Sequence, residues 1–150
     1  MQNDHIGSNS AYEMLEALRI ISVSKKKVGE CAKISNSYSA YRAIFITESS
    51  AQAQLGKETV TVCPRDLIIL PPHNAGFKAD GENLGYTTIF FTGSEAKAAS
   101  EKLGFSNGAA LFSEVAISQN EIDSLSKCTG EIANYRAKGL LYFAFSEILR

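Results

Sequence analysis

Hydrophobic residues between positions 20 and 93 fall into short runs rich in β-branched and aromatic side chains, and turn-forming residues separate these runs. Runs of this kind are typical of β-strands. The predicted strands are Ile20–Val23, Tyr41–Thr47, Thr59–Val62, Leu67–Leu70 and Tyr86–Phe91. Their spacing indicates a barrel or a sandwich.

The last of these runs indicates how the sheet is covered. Side chains two positions apart share a face of a strand. One face therefore carries Tyr86, Thr88 and Phe90, and the residues between them occupy the other. Because both faces are largely apolar, we expect the barrel lumen on one side and a helix on the other.

Helix signals flank the predicted strands. Ser10 and Glu13 have the spacing of a capping box and predict a short opening helix over Ala11–Leu18, covering an open barrel end. Ser94 offers an N-cap for a helix through Leu103, where a glycine follows.

A second capping-box spacing, Ser118 with Glu121, opens a helical region in which apolar residues recur every three or four positions. Gly130 is expected to break this region. The final segment, Tyr135–Arg150, carries too many large apolar side chains for one buried helix stripe. We expect this segment to pack against the barrel with one face and to form a dimer seam with another. The residues expected at this seam are Leu140, Leu141, Phe143, Phe145 and Ile148.

Composition limits the possible functions. The 150 residues fit one domain, and a net charge of -1 offers no positive field for nucleic acid. No apolar run approaches the roughly 20 residues of a membrane span, and the first ten residues are too polar for a signal peptide, so we expect a cytoplasmic protein. The three cysteines are widely spaced and predict neither a disulfide framework nor a zinc site.

One stretch of the sequence carries a more specific motif than the strand and helix patterns do. Cys63-Pro-Arg-Asp-Leu-Ile-Ile-Leu-Pro-Pro72 combines a turn, an acidic residue, an apolar strand and a double proline that ends it. Tyr41–Thr47, a loop of small polar residues and a Gly-Lys turn precede it, and an aromatic strand ending Phe-Thr-Gly93 follows. In this order the motifs resemble the N-terminal cupin domain of AraC-type transcription regulators, over the chain from about Leu18 to its end.

The resemblance implies a mainly β fold: a double-stranded β-helix, the cupin or jelly-roll barrel, followed by C-terminal α-helices. Residues 1–93 would form the effector-binding barrel with its short opening helix, and residues 94–150 a helical dimerisation segment. A small molecule, often a sugar, would bind in the lumen of a homodimer. DNA would be read by a C-terminal helix-turn-helix domain that this chain lacks.

Two departures from the family pattern concern this motif. The family's turn glycine is Arg65 here, and we expect a changed turn within an unchanged fold. The histidine that commonly follows the double proline falls at or near Gly76, whereas His73 lies earlier on the loop.

Candidate ligand-binding residues come from strand parity and from the family's pocket positions. They are Arg42, Tyr86, Thr88, Phe90, His73 and Glu48. A lumen arginine could hold a carboxylate or a sugar hydroxyl through its fixed fork of donors. Ordinary core packing remains open for the aromatic residues, and a surface position for Arg42.

No catalytic residue, metal or cofactor is predicted. A cupin metal site needs two or three histidines with a carboxylate, and the chain has only His5 and His73. We therefore expect an effector-sensing, self-associating regulatory domain and no enzyme. Two alternatives stay open: a stand-alone cupin enzyme of isomerase type, and a dimerisation domain whose pocket is filled with side chains.

Overall fold

The computed structural model describes residues 17–149, and within them two antiparallel sheets face each other. The five-stranded sheet has the order β1-β8-β3-β6-β9 and the four-stranded sheet the order β2-β7-β4-β5. The strands are β1 Arg19–Lys27, β2 Cys31–Asn36, β3 Tyr41–Glu48, β4 Ala51–Leu55, β5 Glu58–Val62, β6 Leu67–Leu70, β7 Asn74–Asp80, β8 Gly85–Thr92 and β9 Ala110–Phe112. The predicted mainly β barrel with C-terminal helices is confirmed.

The two faces of β8 pack as the strand alternation predicted. Tyr86 belongs to the apolar cluster between the sheets, which fills the barrel interior. Ile89 and Phe91 belong to a second cluster, which lies between the five-stranded sheet and the helices. This strand is therefore buried on both sides, and its even-numbered residues face the lumen.

Three helices follow the barrel strands: α1 Ser94–Leu103, α2 Gln119–Leu125 and α3 Gly130–Leu149. Gly104 adopts the left-handed conformation at φ 87° and ends α1 as expected. Gly93 takes the N-cap position of α1 instead of Ser94. Ser118 is the N-cap of α2, although its side chain makes no capping hydrogen bond. Gly130 marks the break between α2 and α3.

The residues after position 93 are packed into the same domain as the barrel. β9 lies beyond the predicted boundary at residue 93, yet it pairs with β6 in the five-stranded sheet. Leu140, Leu141 and Phe145 of α3 join the core between sheet and helices. Their expected place at a dimer seam does not fit this burial, because side chains enclosed within one protomer cannot also contact another. Ile148 is partly buried against the same core, and Phe143 is 47% exposed.

Four strands were not predicted, namely β2, β4, β7 and β9. The segment now seen as β4 had been expected to be a loop of small polar residues. Its alanines Ala51 and Ala53 point into the barrel and its glutamines outward, so the period-two pattern was present. Alanine and glutamine have little β-propensity, and pairing with β5 and β7 supplies the stability. The predicted opening helix lies, apart from Ala17 and Leu18, outside the described residues.

The turn at Arg65 keeps the shape that glycine favours. Arg65 has φ 79°, and the main-chain nitrogen of Asp66 donates to the oxygen of Cys63 at 3.0 Å. With Pro64 before it, this is the geometry of a type II turn. The expectation of a changed turn is wrong: neighbouring hydrogen bonds hold the arginine in the left-handed region. Asp66 contributes directly, since its carboxylate accepts from the main-chain nitrogens of Cys63 at 2.9 Å and Glu114 at 3.1 Å.

Candidate ligand-binding site

Arg42 stands near the start of β3, on the strand face that points into the barrel. It pairs across the sheet with Phe90 of β8, and Ile44 and Ile46 follow on its face deeper in the lumen. The side chain is partly buried. Arg42 therefore lies at one mouth of the barrel, above an apolar interior.

The guanidinium of Arg42 bridges the two sheets. Its Nε and Nη2 donate to the hydroxyl oxygen of Thr88 at 3.4 and 3.2 Å, and its Nη1 donates to the main-chain oxygen of Ser35 at 2.6 Å. Thr88 belongs to the five-stranded sheet and Ser35 to β2 of the other. The group also lies 5.3 Å from the ring centre of Phe90 and 5.9 Å from that of Tyr86. Aromatic faces at such distances stabilise a cation.

Burial of this cation is not compensated by an anion. Desolvation lowers the pKa of Arg42, and the side chains of Tyr86 and Tyr38 act in the opposite direction. No carboxylate among residues 17–149 forms an ion pair with Arg42, whereas Lys27, for example, pairs with Glu48 at 3.1 Å. Thr88, Ser35 and the side chain of Tyr86 are the hydrogen-bond partners of the guanidinium, and together they leave at least one of its five N–H groups without a partner among the described residues.

A polar network fixes the loops around this mouth. Asn36 is buried, and its amide nitrogen donates to the main-chain oxygens of Ala40 at 2.6 Å and Pro71 at 2.9 Å. Its side-chain oxygen accepts from the nitrogen of Tyr38, and the oxygen of Tyr38 accepts from the nitrogen of His73, both at 3.1 Å. The loops 37–40 and 71–73 are thus tied together at the rim.

Tyr38 was missed by the sequence analysis. Its ring is 62% exposed and meets the ring of Phe90 edge to face at 5.2 Å. The signal in the sequence was an aromatic residue inside the polar Ser-Asn-Ser-Tyr-Ser turn, where core packing does not require one. Strand parity could not find it, because parity applies only within strands.

The structure brings four of the six predicted ligand-binding residues together. Arg42, Thr88 and Phe90 are in contact at the mouth, and Tyr86 lies beneath them with its ring close to the guanidinium. His73 is exposed on the rim and joins the group through its main chain. Glu48 lies at the other end of β3, about 20 Å away at roughly 3.3 Å per residue, and is paired with Lys27 outside the cluster.

The position expected for a family histidine cannot carry one here. Gly76 has φ 79°, and a Cβ added to it would lie 1.7 Å from the main-chain oxygen of Ile34. Within residues 17–149, no group of three or more His, Cys, Asp or Glu side chains is placed to hold a metal ion. His5 lies outside the described part of the chain. None of the described helices is long and apolar enough to cross a membrane.

The interior beneath the mouth is packed. Ile44, Leu70 and Tyr86 are each at most 3% exposed, as are the other large side chains deeper in the barrel. A side chain lining a cavity of ligand size would keep accessible surface toward it, so the lumen below Arg42 has no such cavity. A groove of about 690 Å³ lies elsewhere, between β1 and the start of α3, and none of the predicted site residues lines it.

Fold and site together define a cupin-like β-barrel with C-terminal helices and a cationic, aromatic mouth. Comparison with known proteins shows which solved structures share this fold. No family model and no curated protein matches the sequence. Solved structures of ToxT from Vibrio cholerae do match in fold.

ToxT bound to (E)-4-(8-methylnaphthalen-1-yl)but-3-enoic acid superposes with a TM-score of 0.53 at 16% identity, covering 85% of this chain and 54% of that one. Wild-type ToxT bound to an unsaturated fatty acid gives a TM-score of 0.51 at 11% identity, covering 85% and 52%. The chain thus spans about half the length of ToxT. At this identity, the likeness establishes a shared fold.

Proposed function

We propose that this chain is the effector-sensing and self-associating domain of an AraC-type transcription regulator. A small molecule would bind at the barrel mouth and shift the arrangements available to a DNA-binding domain. The motif order around Pro64–Pro72 supports this family, and ToxT, an AraC-family regulator, shares the fold. We assign no catalytic step to the chain.

The observation that carries the proposal is the unpaired guanidinium of Arg42. Buried charges in proteins are normally paired, because the cost of removing an ion from water is otherwise uncompensated. Here aromatic rings and neutral oxygens of Thr88, Ser35 and Tyr86 meet the cation, and at least one N–H donor remains. The missing partner is an anion, and a carboxylate matches the planar fork of arginine best.

The ligands of ToxT are consistent with this chemistry, since both named above are carboxylic acids. A sugar, the effector class that the family resemblance suggests first, would use the same donors through its hydroxyl groups. A carboxylate gains a full charge interaction in addition. We therefore place small carboxylic acids ahead of neutral sugars as effectors.

A thermal-shift screen of small carboxylates and sugars tests the proposal, because a ligand that binds only the folded state raises the melting temperature by mass action. Carboxylates should stabilise the native protein and fail to stabilise Arg42→Gln. Lys33→Gln is the matched control, since it removes a cation from the outer face of the neighbouring strand β2. An equal shift in Arg42→Gln and the native protein would remove Arg42 from the site.

Self-association is supported by a second apolar face on α3. At about 100° per residue, the buried residues of α3 centre on one side, and an exposed apolar group centres about 180° away. The exposed residues are Ile132, Tyr135, Tyr142, Phe143 and Leu149. A helix with two apolar faces requires two partners, and the barrel supplies only one. We propose that a second copy covers the other face, which moves the seam away from Leu140, Leu141 and Phe145.

Sedimentation equilibrium with substitutions on this face tests the dimer. Phe143→Lys should shift the protein toward monomer, and at concentrations where both proteins are monomeric its melting temperature should equal that of the native chain, because Phe143 lies outside the core. Lys57→Glu, in the exposed turn between β4 and β5, is a control for a charge change on the opposite side of the barrel. A native protein that stays monomeric at high concentration would contradict self-association through this fragment.

The packed lumen favours one alternative function, a dimerisation domain that binds no effector. In that case Arg42 would serve only to tie Thr88 to Ser35 across the two sheets. The two functions differ in the thermal-shift screen: the alternative predicts no Arg42-dependent stabilisation by any carboxylate, together with an unchanged dimer.

A further inference from the structure

We infer that the mouth site takes a compact, planar carboxylate, held on the outer edge of the Arg42 guanidinium and enclosed by the ring of Tyr38. The inference rests on the proposed function and specifies its ligand class. It also assigns Tyr38, a loop residue, as the residue that determines specificity.

The size limit follows from the floor of the site. Ile44 and Leu70 have no exposed surface, and Tyr86 has 3%. All three belong to the cluster that fills the barrel. A long acyl chain attached to a carboxylate at Arg42 would have to displace these side chains, and forcing extra atoms into a filled core is destabilising. A ligand that binds without rearrangement must therefore stay at the mouth.

The orientation of the ligand follows from the donors already used. The Nε–Nη2 edge of Arg42 faces Thr88, and one N–H of Nη1 points to Ser35. The donor capacity left for a ligand is on the Nη1 and Nη2 nitrogens, next to the side chain of Tyr86. When two N–H groups of an arginine donate to the two oxygens of one carboxylate, the carboxylate lies coplanar with the guanidinium.

The shape preference follows from the rings beside Arg42. The ring of Phe90 is partly buried under the guanidinium, and the largely exposed ring of Tyr38 stands edge-on to it. A flat apolar group in the plane of the carboxylate would lie against these rings, whereas a puckered ring of equal size would contact them at fewer atoms. An aromatic carboxylate matches this arrangement.

Tyr38 can be replaced without loosening the rim. Its hydrogen bonds to Asn36 and His73 use only main-chain atoms, and its side chain is exposed. Substitution thus removes the ring and leaves the loop. Tyr38→Phe keeps the ring and removes only the hydroxyl, so it serves as the conservative control.

The experiment is an amide NMR titration of the native chain with three probes: benzoate, cyclohexanecarboxylate and octanoate. Benzoate should bind with a Kd at least threefold below that of either other acid. This order is opposite to the one that apolar surface alone would give, because octanoate is the most apolar of the three. Tyr38→Ala should raise the Kd for benzoate at least fivefold, and Tyr38→Phe should change it less than twofold. Arg42→Gln should abolish binding of all three.

The outcomes separate this inference from the proposed function. Binding of octanoate tighter than benzoate, with shifts at Ile44 and Leu70, would place the ligand in the lumen and overturn the inference while keeping Arg42 as the anchor. If Tyr38→Ala and the native chain bind benzoate equally, Tyr38 is not part of the site and the inference is also overturned. If none of the three acids binds, the proposed carboxylate site fails and this inference fails with it.

Discussion

Replacing Arg65 with glycine should stabilise the folded chain. Arg65 occupies the third position of a type II turn at φ 79°, where a Cβ crowds the following carbonyl oxygen. The main chain cannot relax away from this angle, because the nitrogen of Arg65 donates to Ile46 at 3.1 Å and its oxygen accepts from Val115 at 2.9 Å. The side chain itself is exposed, so its loss removes little packing.

The magnitude follows from two opposing terms. Relieving the left-handed strain of a non-glycine residue gains about 1–2 kcal/mol. Glycine loses more conformational entropy on folding, which costs about 0.5–1 kcal/mol. The net gain lies between about 0 and 1.5 kcal/mol, with a midpoint of about 0.75 kcal/mol. This midpoint corresponds to a rise in melting temperature of about 2 °C for a domain of this size.

Urea denaturation followed by circular dichroism measures this difference, with Arg65→Ala as the matched control. Alanine removes the same long side chain but keeps the Cβ, so Arg65→Ala should leave the free energy of unfolding near that of the native chain. A lower stability for Arg65→Gly than for Arg65→Ala would refute the strain explanation. The midpoint should move without a change in slope, since the compactness of neither state is altered.

Three other predictions concern the core, a close contact and a titrating side chain. Leu141→Ala, at a fully buried position of α3, should lower the free energy of unfolding by about 2–5 kcal/mol in urea denaturation; a loss below 0.5 kcal/mol would contradict its place in the core. Gly76→Ala should destabilise by about 3 kcal/mol or more, seen as loss of folded protein in circular dichroism, because its Cβ would collide with the oxygen of Ile34. Desolvation and the hydrogen bond to Glu95 raise the pKa of Tyr142 to about 12; since the protonated form is favoured in the folded state, this stability is complete below the ordinary pKa near 10 and is lost as pH rises toward 12. Comparing urea midpoints of the native chain and Tyr142→Phe at pH 8 and 11 measures this, and an equal pH dependence in both would count against the shift.

Four predicted strands match the structure to within one residue at either end: Thr59–Val62 matches β5, and Tyr41–Thr47, Leu67–Leu70 and Tyr86–Phe91 match β3, β6 and β8. The last three strands are buried on both faces. Their β-branched and aromatic side chains pack on the lumen side and the helix side alike, so local propensity and tertiary packing agree. The overlooked β4 and β7 hold small or turn-forming residues, and the four-stranded sheet stabilises them through pairing that a local pattern does not record.

The candidate site was predictable only in its strand residues. Alternation on β8 put Thr88 and Phe90 on one face, the resemblance to the family implied that this face lines the lumen, and the structure puts both residues beside Arg42. The sequence left Arg42 undecided between lumen and surface, because a long side chain near a strand end can reach either. The position of Tyr38 depends on the hydrogen bonds by which Asn36 holds the loop against the end of β6. A periodic sequence pattern does not predict such a contact.

The two faces of α3 show the same limit on the helical side. Both apolar stripes recur with helical periodicity. The sequence therefore shows that α3 has more apolar residues than one buried face can hold, but it does not show which stripe packs against the barrel. The choice is made by the aromatic residues behind the sheet. The ring centre of Phe145 lies 6.0 Å from that of Phe91 and 6.2 Å from that of Phe105, on the same side of α3 as the buried Leu141.

The proposed ligand site and the proposed dimer helix lie on opposite sides of the same strand ends. Phe90 faces the barrel mouth, and the next residue, Phe91, points through the opposite face of β8 to pack against Phe145 of α3. Tyr41, the neighbour of Arg42, stacks on Phe91 at 5.5 Å. The proposed ligand at Arg42 would contact the two strand ends whose other faces carry Tyr41 and Phe91, and Phe91 packs against α3. The ligand could move the helix only if it binds one conformation of these strand ends more tightly than another. A ligand with equal affinity for both conformations would not change their populations.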